Sequence, residues 1–133
     1  PSLRGMGPLN YAGLVGSCLQ VRDALHPRDL APFLLRQMHE PDRDAPRILN
    51  LGGGPENATS LRKLSAWCEE RFAPNEVSIT SEKRPYDAPW IVMDSSLATQ
   101  TWGWHPKTNL EEILEETAEH AEKNPDWMEL CRG

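Results

Sequence analysis

The sequence predicts an α/β fold of short, mixed strands with about four helices. Three observations predict it. Arg47-Ile48-Leu49-Asn50-Leu51 is a compact apolar run closed by Gly52-Gly53-Gly54, as a buried strand would be. Leu30, Phe33, Leu34 and Met38, and later Leu110, Ile113 and Leu114, recur at helical spacing. Val77-Ser78-Ile79-Thr80 alternates as a half-buried strand does. In chain order the elements read helix, strand, helix, strand, strand, helix, helix.

Residues 1–19 are rich in glycine and small side chains, and their extended pieces, Leu9–Tyr11 and Leu14-Val15, are too short to make a sheet alone. Gln20-Val21-Arg22-Asp23-Ala24-Leu25-His26 is a short extended segment that runs straight into a helix over Arg28–Glu40. Pro27 suits that helix's first turn, and Pro32 lies close enough to the start to be tolerated. Pro41–Pro46 is a polar breaker loop.

After the triple glycine, Asn57 or Thr59 is placed to cap a helix whose apolar face is Leu61, Leu64, Trp67, Cys68 and Phe72. Trp90–Met93 is a further strand. Ser95 or Ser96 caps a short helix that stops at Gly103. Thr108 and Glu111 have the spacing of a capping box and open the most acidic helix. That helix is expected to bury Leu110, Ile113, Leu114, Thr117 and Ala121 and to end at Asn124-Pro125, before a last turn with Trp127, Met128 and Leu130.

The 133 residues fit one domain with a real core. A net charge of −6 argues against a nucleic-acid surface, which needs a basic stripe. No apolar run is long enough to span a bilayer, and no basic flank leads into an apolar core at the N-terminus, so neither membrane span nor signal peptide is expected. Cys18, Cys68 and Cys131 are odd in number and far apart, which fits a reducing cytoplasm better than a disulfide framework. His26, His39, His105 and His120 have no metal-site spacing.

Arg22 at the strand-to-helix junction is either a surface charge or a fixed anion receptor. Arg84, in Lys83-Arg84-Pro85-Tyr86-Asp87, is the second candidate. A guanidinium fork matches two phosphate oxygens and stays charged at any working pH. Two such residues from distant parts of a chain can clamp a diphosphate, and Asp87 can orient a guanidinium or accept from a sugar hydroxyl. The alternative is that both arginines are solvated or paired with surface carboxylates. Gly52-Gly53-Gly54 lacks the dinucleotide and P-loop patterns, so it reads as a tight strand-to-helix turn rather than a phosphate cradle. Glu111, Glu112, Glu115, Glu116, Glu119 and Glu122 read as a solvated helix face. Cys68 lies on an apolar face and reads as core.

Four stretches, in this order, resemble the C-terminal part of the extended short-chain dehydrogenase/reductase family, the NAD-dependent epimerases and dehydratases of nucleotide sugars. They are Gln20–His26 with Asp29-Leu30, Ile48–Gly54 with Thr59-Ser60-Leu61, Arg84–Asp87, and Gly103-Trp104-His105-Pro106-Lys107. The first is closest in wording to the CDP-paratose/CDP-tyvelose 2-epimerase branch. The resemblance implies that Arg22 and Arg84 bind the diphosphate of a nucleoside-diphosphate sugar and that Asp87 lies near the phosphate and nucleoside. It implies that Asn50 and the glycines form a structural junction. It further implies that residues 1–133 are the substrate-binding portion of a Rossmann-type fold, with 1–54 packing on or completing an N-terminal Rossmann domain and 55–133 forming a small α/β lobe.

The family's dinucleotide fingerprint and its Tyr-x-x-x-Lys pair are not in these residues. Tyr11 and Tyr86 are not followed four residues on by Lys. Hydride chemistry needs a bound nicotinamide and a tyrosine held as a base. NAD is therefore expected in the parent enzyme and not bound to this portion, and no residue here is expected to be catalytic. The expected ligand is a nucleoside-diphosphate sugar. The expected partners are the Rossmann half and, because exposed strand edges seek pairing, a second copy in a homodimer. The second expectation is a non-catalytic interaction or regulatory module that keeps the fold.

Overall fold

The computed structural model describes residues 9–11, 19–42, 44–72, 74, 77–79 and 88–126. Among them it is mixed α/β. The strands are short: β1 (Leu9–Tyr11), β2 (Val21–Asp23), β3 (Ala58–Ser60), β4 (Val77–Ile79) and β5 (Trp90–Ile91). The helices are α1 (Pro27–His39), α2 (Leu61–Arg71), α3 (Ser96–Trp102) and α4 (Leu110–Lys123). One sheet has the order β3-β2-β5, with β2 and β5 parallel and Val21 opposite Trp90. The other pairs β1 with β4, also parallel, with Leu9 opposite Val77. No helix among the described residues is long and apolar enough to cross a membrane.

By packing, the chain divides into two compact units. One comprises 1–22, 59–91 and 119–133; the other comprises 23–58 and 92–118. In the second unit, Phe33, Ala98 and Trp104 are buried together, with Leu25, Leu49, Leu51 and Trp102 packed on them. Phe33 meets Trp102 edge-on at 5.8 Å between ring centroids and Trp104 at 5.9 Å. The indole N–H of Trp104 is satisfied by the Asp29 carbonyl at 3.0 Å, so the ring is buried without an orphan donor. In the first unit, Leu61, Leu64, Trp67 and Cys68 present the half-buried face of α2. Arg71 grips the Glu122 carboxylate through two N–H groups, at 2.9 and 3.2 Å.

The long helices fall where periodicity places them, but four local expectations need correction. Residues 47–51 form no strand. Leu49 and Leu51 bury their side chains on the core, while Ile48 is 82% exposed and the Gly52 amide donates to the Ser95 hydroxyl. The apolar pattern reported burial only in part, since Leu49 and Leu51 reach the core and Ile48 does not, and these residues join neither sheet.

The cap of α2 is Ser60, whose hydroxyl accepts the Lys63 amide, and not Asn57 or Thr59. Asn57 ends a 3-10 turn over Pro55–Asn57 and is buried, and Thr59 lies within β3.

The capping box of α4 is Asn109 with Glu112, each side chain accepting the other residue's amide at 2.9 Å. Thr108 cannot start the helix, because it is buried with its amide bonded to Asp29 and its carbonyl accepting from Asn57. The apolar stripes are also wider than the buried faces. Leu34 and Met38 on α1 and Thr117 on α4 are exposed, and Ala118 is the buried residue of α4. The last predicted turn, with Trp127, Met128 and Leu130, lies outside the described residues.

Candidate functional site

Alternation along β2 leaves Val21 and Asp23 half-buried and Arg22 exposed. The Arg22 guanidinium donates to the Val21 carbonyl at 2.6 Å and to the Ala88 carbonyl at 3.0 Å. The Val21 amide donates to Pro89 at 2.9 Å, and the parallel register then carries the pairing into β5. The stretch that starts at Ala88 therefore lies beside β2. Arg84 and Asp87, which precede it, lie outside the described residues. Of the three residues predicted to hold a diphosphate, the structure places Arg22.

One residue on, the Asp23 carboxylate accepts the Gly54 amide at 3.0 Å and the Met93 amide at 3.3 Å. The triple glycine is thus a junction closed by protein groups: Gly54 donates to Asp23 and Gly52 to Ser95. Neither amide is presented to a phosphate. Close packing explains the glycine at 53, where an added Cβ would run into the Ala24 carbonyl and the Asn57 side chain. Asn57 completes the junction. Its side-chain amide donates to Ala24 at 3.3 Å and Thr108 at 2.9 Å, and its carbonyl accepts the Ala24 amide.

Asp23, Asn57 and Asp29 act as tethers, a role the sequence reading did not give them: it offered Asn57 as a helix cap and took Asp23 and Asp29 only as parts of longer motifs. Asp29, in the first turn of α1, accepts the amides of Lys107 and Thr108 through one carboxylate oxygen, at 3.0 and 2.9 Å. Burial pushes its carboxyl up, but those two amides and the Thr108 hydroxyl outweigh it and hold the group below its ordinary range. A signal was available: each is a short polar side chain next to an apolar run, where capping and turn-tying are its usual work.

The stretches containing Val21–Asp29, Ile48–Gly54 and Gly103–Lys107 thus interlock through backbone-directed polar side chains. In the same unit an open cleft of about 240 Å³ is lined by Phe33, Trp102 and Trp104 together with Arg28, Arg36 and Lys107. Its arginines are engaged. Arg28 donates to Glu116 at 2.6 Å, and Arg36 pairs with Glu40 and donates to the Trp102 carbonyl. No group of three or more His, Cys, Asp and Glu side chains among the described residues is placed to hold a metal ion. Burial pushes the Cys68 thiol up, the wrong direction for a nucleophile. Neither a scan against protein-family models nor a search of curated proteins finds a match to this chain.

Proposed function

We propose that this chain is the nucleotide-sugar-binding part of an NAD-dependent epimerase or dehydratase. Arg22 and Arg84 would clamp the diphosphate, Asp87 would lie at the phosphate and nucleoside, and the sugar would project toward a Rossmann half. That half would hold NAD, which supplies the hydride chemistry when bound; the residues of this chain carry no fingerprint for it. Their part is to bind and orient, so that the sugar carbon is held for hydride removal and return.

The observation that supports this reading is the hydrogen bond from Arg22 to Ala88. It joins the exposed fork on β2 to the residue that directly follows the Arg84-Pro85-Tyr86-Asp87 stretch. Titrating the chain with CDP and with UDP tests it. Binding should weaken by about 10-fold or more in Arg22→Ala and in Arg84→Ala, as expected for the loss of a charge-assisted bond. Equal affinity in the parent and both variants sinks the assignment.

One observation favours the second reading, a non-catalytic module that keeps the fold. Arg22 already makes two bonds to backbone carbonyls, which give it a structural task with no ligand present. Under that reading Arg22→Ala lowers stability and leaves nucleotide binding untouched. Either way, among the described residues β5 is an edge strand with Trp90 64% exposed, which supports self-association of the chain as a homodimer. Light scattering at high concentration tests this, and a clean monomer counts against it.

A further inference from the structure

We infer that His26 is a proton-sensitive cap of α1. Helix α1 starts at Pro27, so the Arg28 amide is one of the donors that the helix itself cannot satisfy. Such donors are usually met by a Ser, Thr, Asp or Asn oxygen, which does not titrate near neutrality. Here the acceptor is an imidazole nitrogen: His26 Nδ1 takes the Arg28 amide at 3.0 Å. A ring nitrogen that accepts carries no proton. The ring in this geometry is therefore neutral, with its hydrogen on Nε2, and Nε2 donates to Glu116 of α4 at 3.1 Å.

Among the described residues, the charged groups facing the ring are Arg28 and Asp29 from α1 and Glu116 from α4. The Arg28 guanidinium donates to the other Glu116 oxygen at 2.6 Å. That hydrogen bond holds the Glu116 carboxyl below its ordinary range, so it stays charged where histidines titrate, between about pH 5 and 8. Protonation of His26 puts a second N–H on the ring, at Nδ1, facing the Arg28 N–H. Two donors then face each other and the cap is lost, while the contact with Glu116 becomes an ion pair. The helix start is released and the link between α1 and α4 is kept.

The consequence reaches beyond one amide. The released turn carries Asp29, which holds the Trp104 indole on its carbonyl and the Lys107 and Thr108 amides on its carboxylate. Protonation of His26 therefore loosens the first turn of α1 and, with it, the seating of Trp104 to Thr108.

The experiment is nuclear magnetic resonance on the full chain with nitrogen-15 in the imidazole rings and amides. The neutral His26 ring should be the Nε2–H tautomer. As the pH is lowered, protection of the Arg28 amide from exchange, corrected for intrinsic rates, should fall about fivefold with the same midpoint as the ring. His26→Asn keeps a capping oxygen that does not titrate, so in that variant the fall should vanish. A neutral ring protonated on Nδ1, or a ring that titrates while Arg28 stays protected, overturns the proposal. Both readouts come from the unmutated chain, so they decide the matter even if the variant fails to fold.

Discussion

The carboxylate of Asp29 accepts the backbone amide of Thr108 at 2.9 Å, across 79 residues of chain. The same oxygen takes the Lys107 amide, so one side chain fixes the path of the chain into α4. The sign of its acid dependence follows from its lowered carboxyl. A group held low in the fold adds stability that is fully present above the unfolded carboxylate range, at about pH 4, and is lost as pH falls through the folded value. Asp29→Asn should lower stability at neutral pH by about 1–2 kcal/mol. The gap from the parent should narrow as the pH falls below the unfolded carboxylate range. Urea denaturation across pH checks both, and a gap independent of pH would refute the charge argument.

Gly53→Ala tests the junction. The added methyl meets the Ala24 backbone carbonyl, which has no rotamer to change, and the Asn57 side chain beside it. The cost should be about 2 kcal/mol or more, as overpacking typically gives. Gly54→Ala is the comparison: its Cβ meets open space, but its φ of 70° with ψ of −171° is a backbone conformation essentially reserved to glycine, for a cost of about 1–3 kcal/mol. Thermal melts rank the two.

The capping register of α4 gives a paired prediction. Asn109→Ala removes the oxygen that accepts the Glu112 amide and should cost about 1 kcal/mol. Glu111→Gln, in the position that the sequence pattern favoured, should stay within about 0.5 kcal/mol of the parent. A larger loss at Glu111 would place the box one residue earlier.

Arg22→Lys separates charge from fork. A lysine keeps the positive charge and gives up the planar pair of donors. If Arg22 holds a diphosphate, calorimetric titration with CDP should show most of the affinity lost in this variant. Stability should change by less than about 1 kcal/mol, because the side chain is exposed.

How much of this was legible in the sequence depends on the kind of interaction. Phe33 was placed on the apolar spacing of a helix, and the structure buries it, because helical spacing and side-chain type report burial directly. The run Arg47–Leu51 was misread for a physical reason: apolar residues say that a segment is covered, not which backbone groups pair with it. Strand β3, Ala58–Ser60, has neither length nor strong β-formers, and its pairing with β2 is a tertiary choice. At the site, Arg22 was legible as an exposed fork at a junction. The tethers at Asp23, Asp29 and Asn57 were not, since their partners lie 31 to 79 residues away in the hydrogen bonds that matter.

Asn57 carries one more consequence. Asn57-Ala58-Thr59 spells the tripeptide that oligosaccharyltransferases read. In the folded chain that asparagine is 4% exposed, and its nitrogen is committed to the carbonyls of Ala24 and Thr108. A sugar on that nitrogen and this fold exclude each other. Any glycan would have to arrive before the junction closed, and once attached it would keep the junction open.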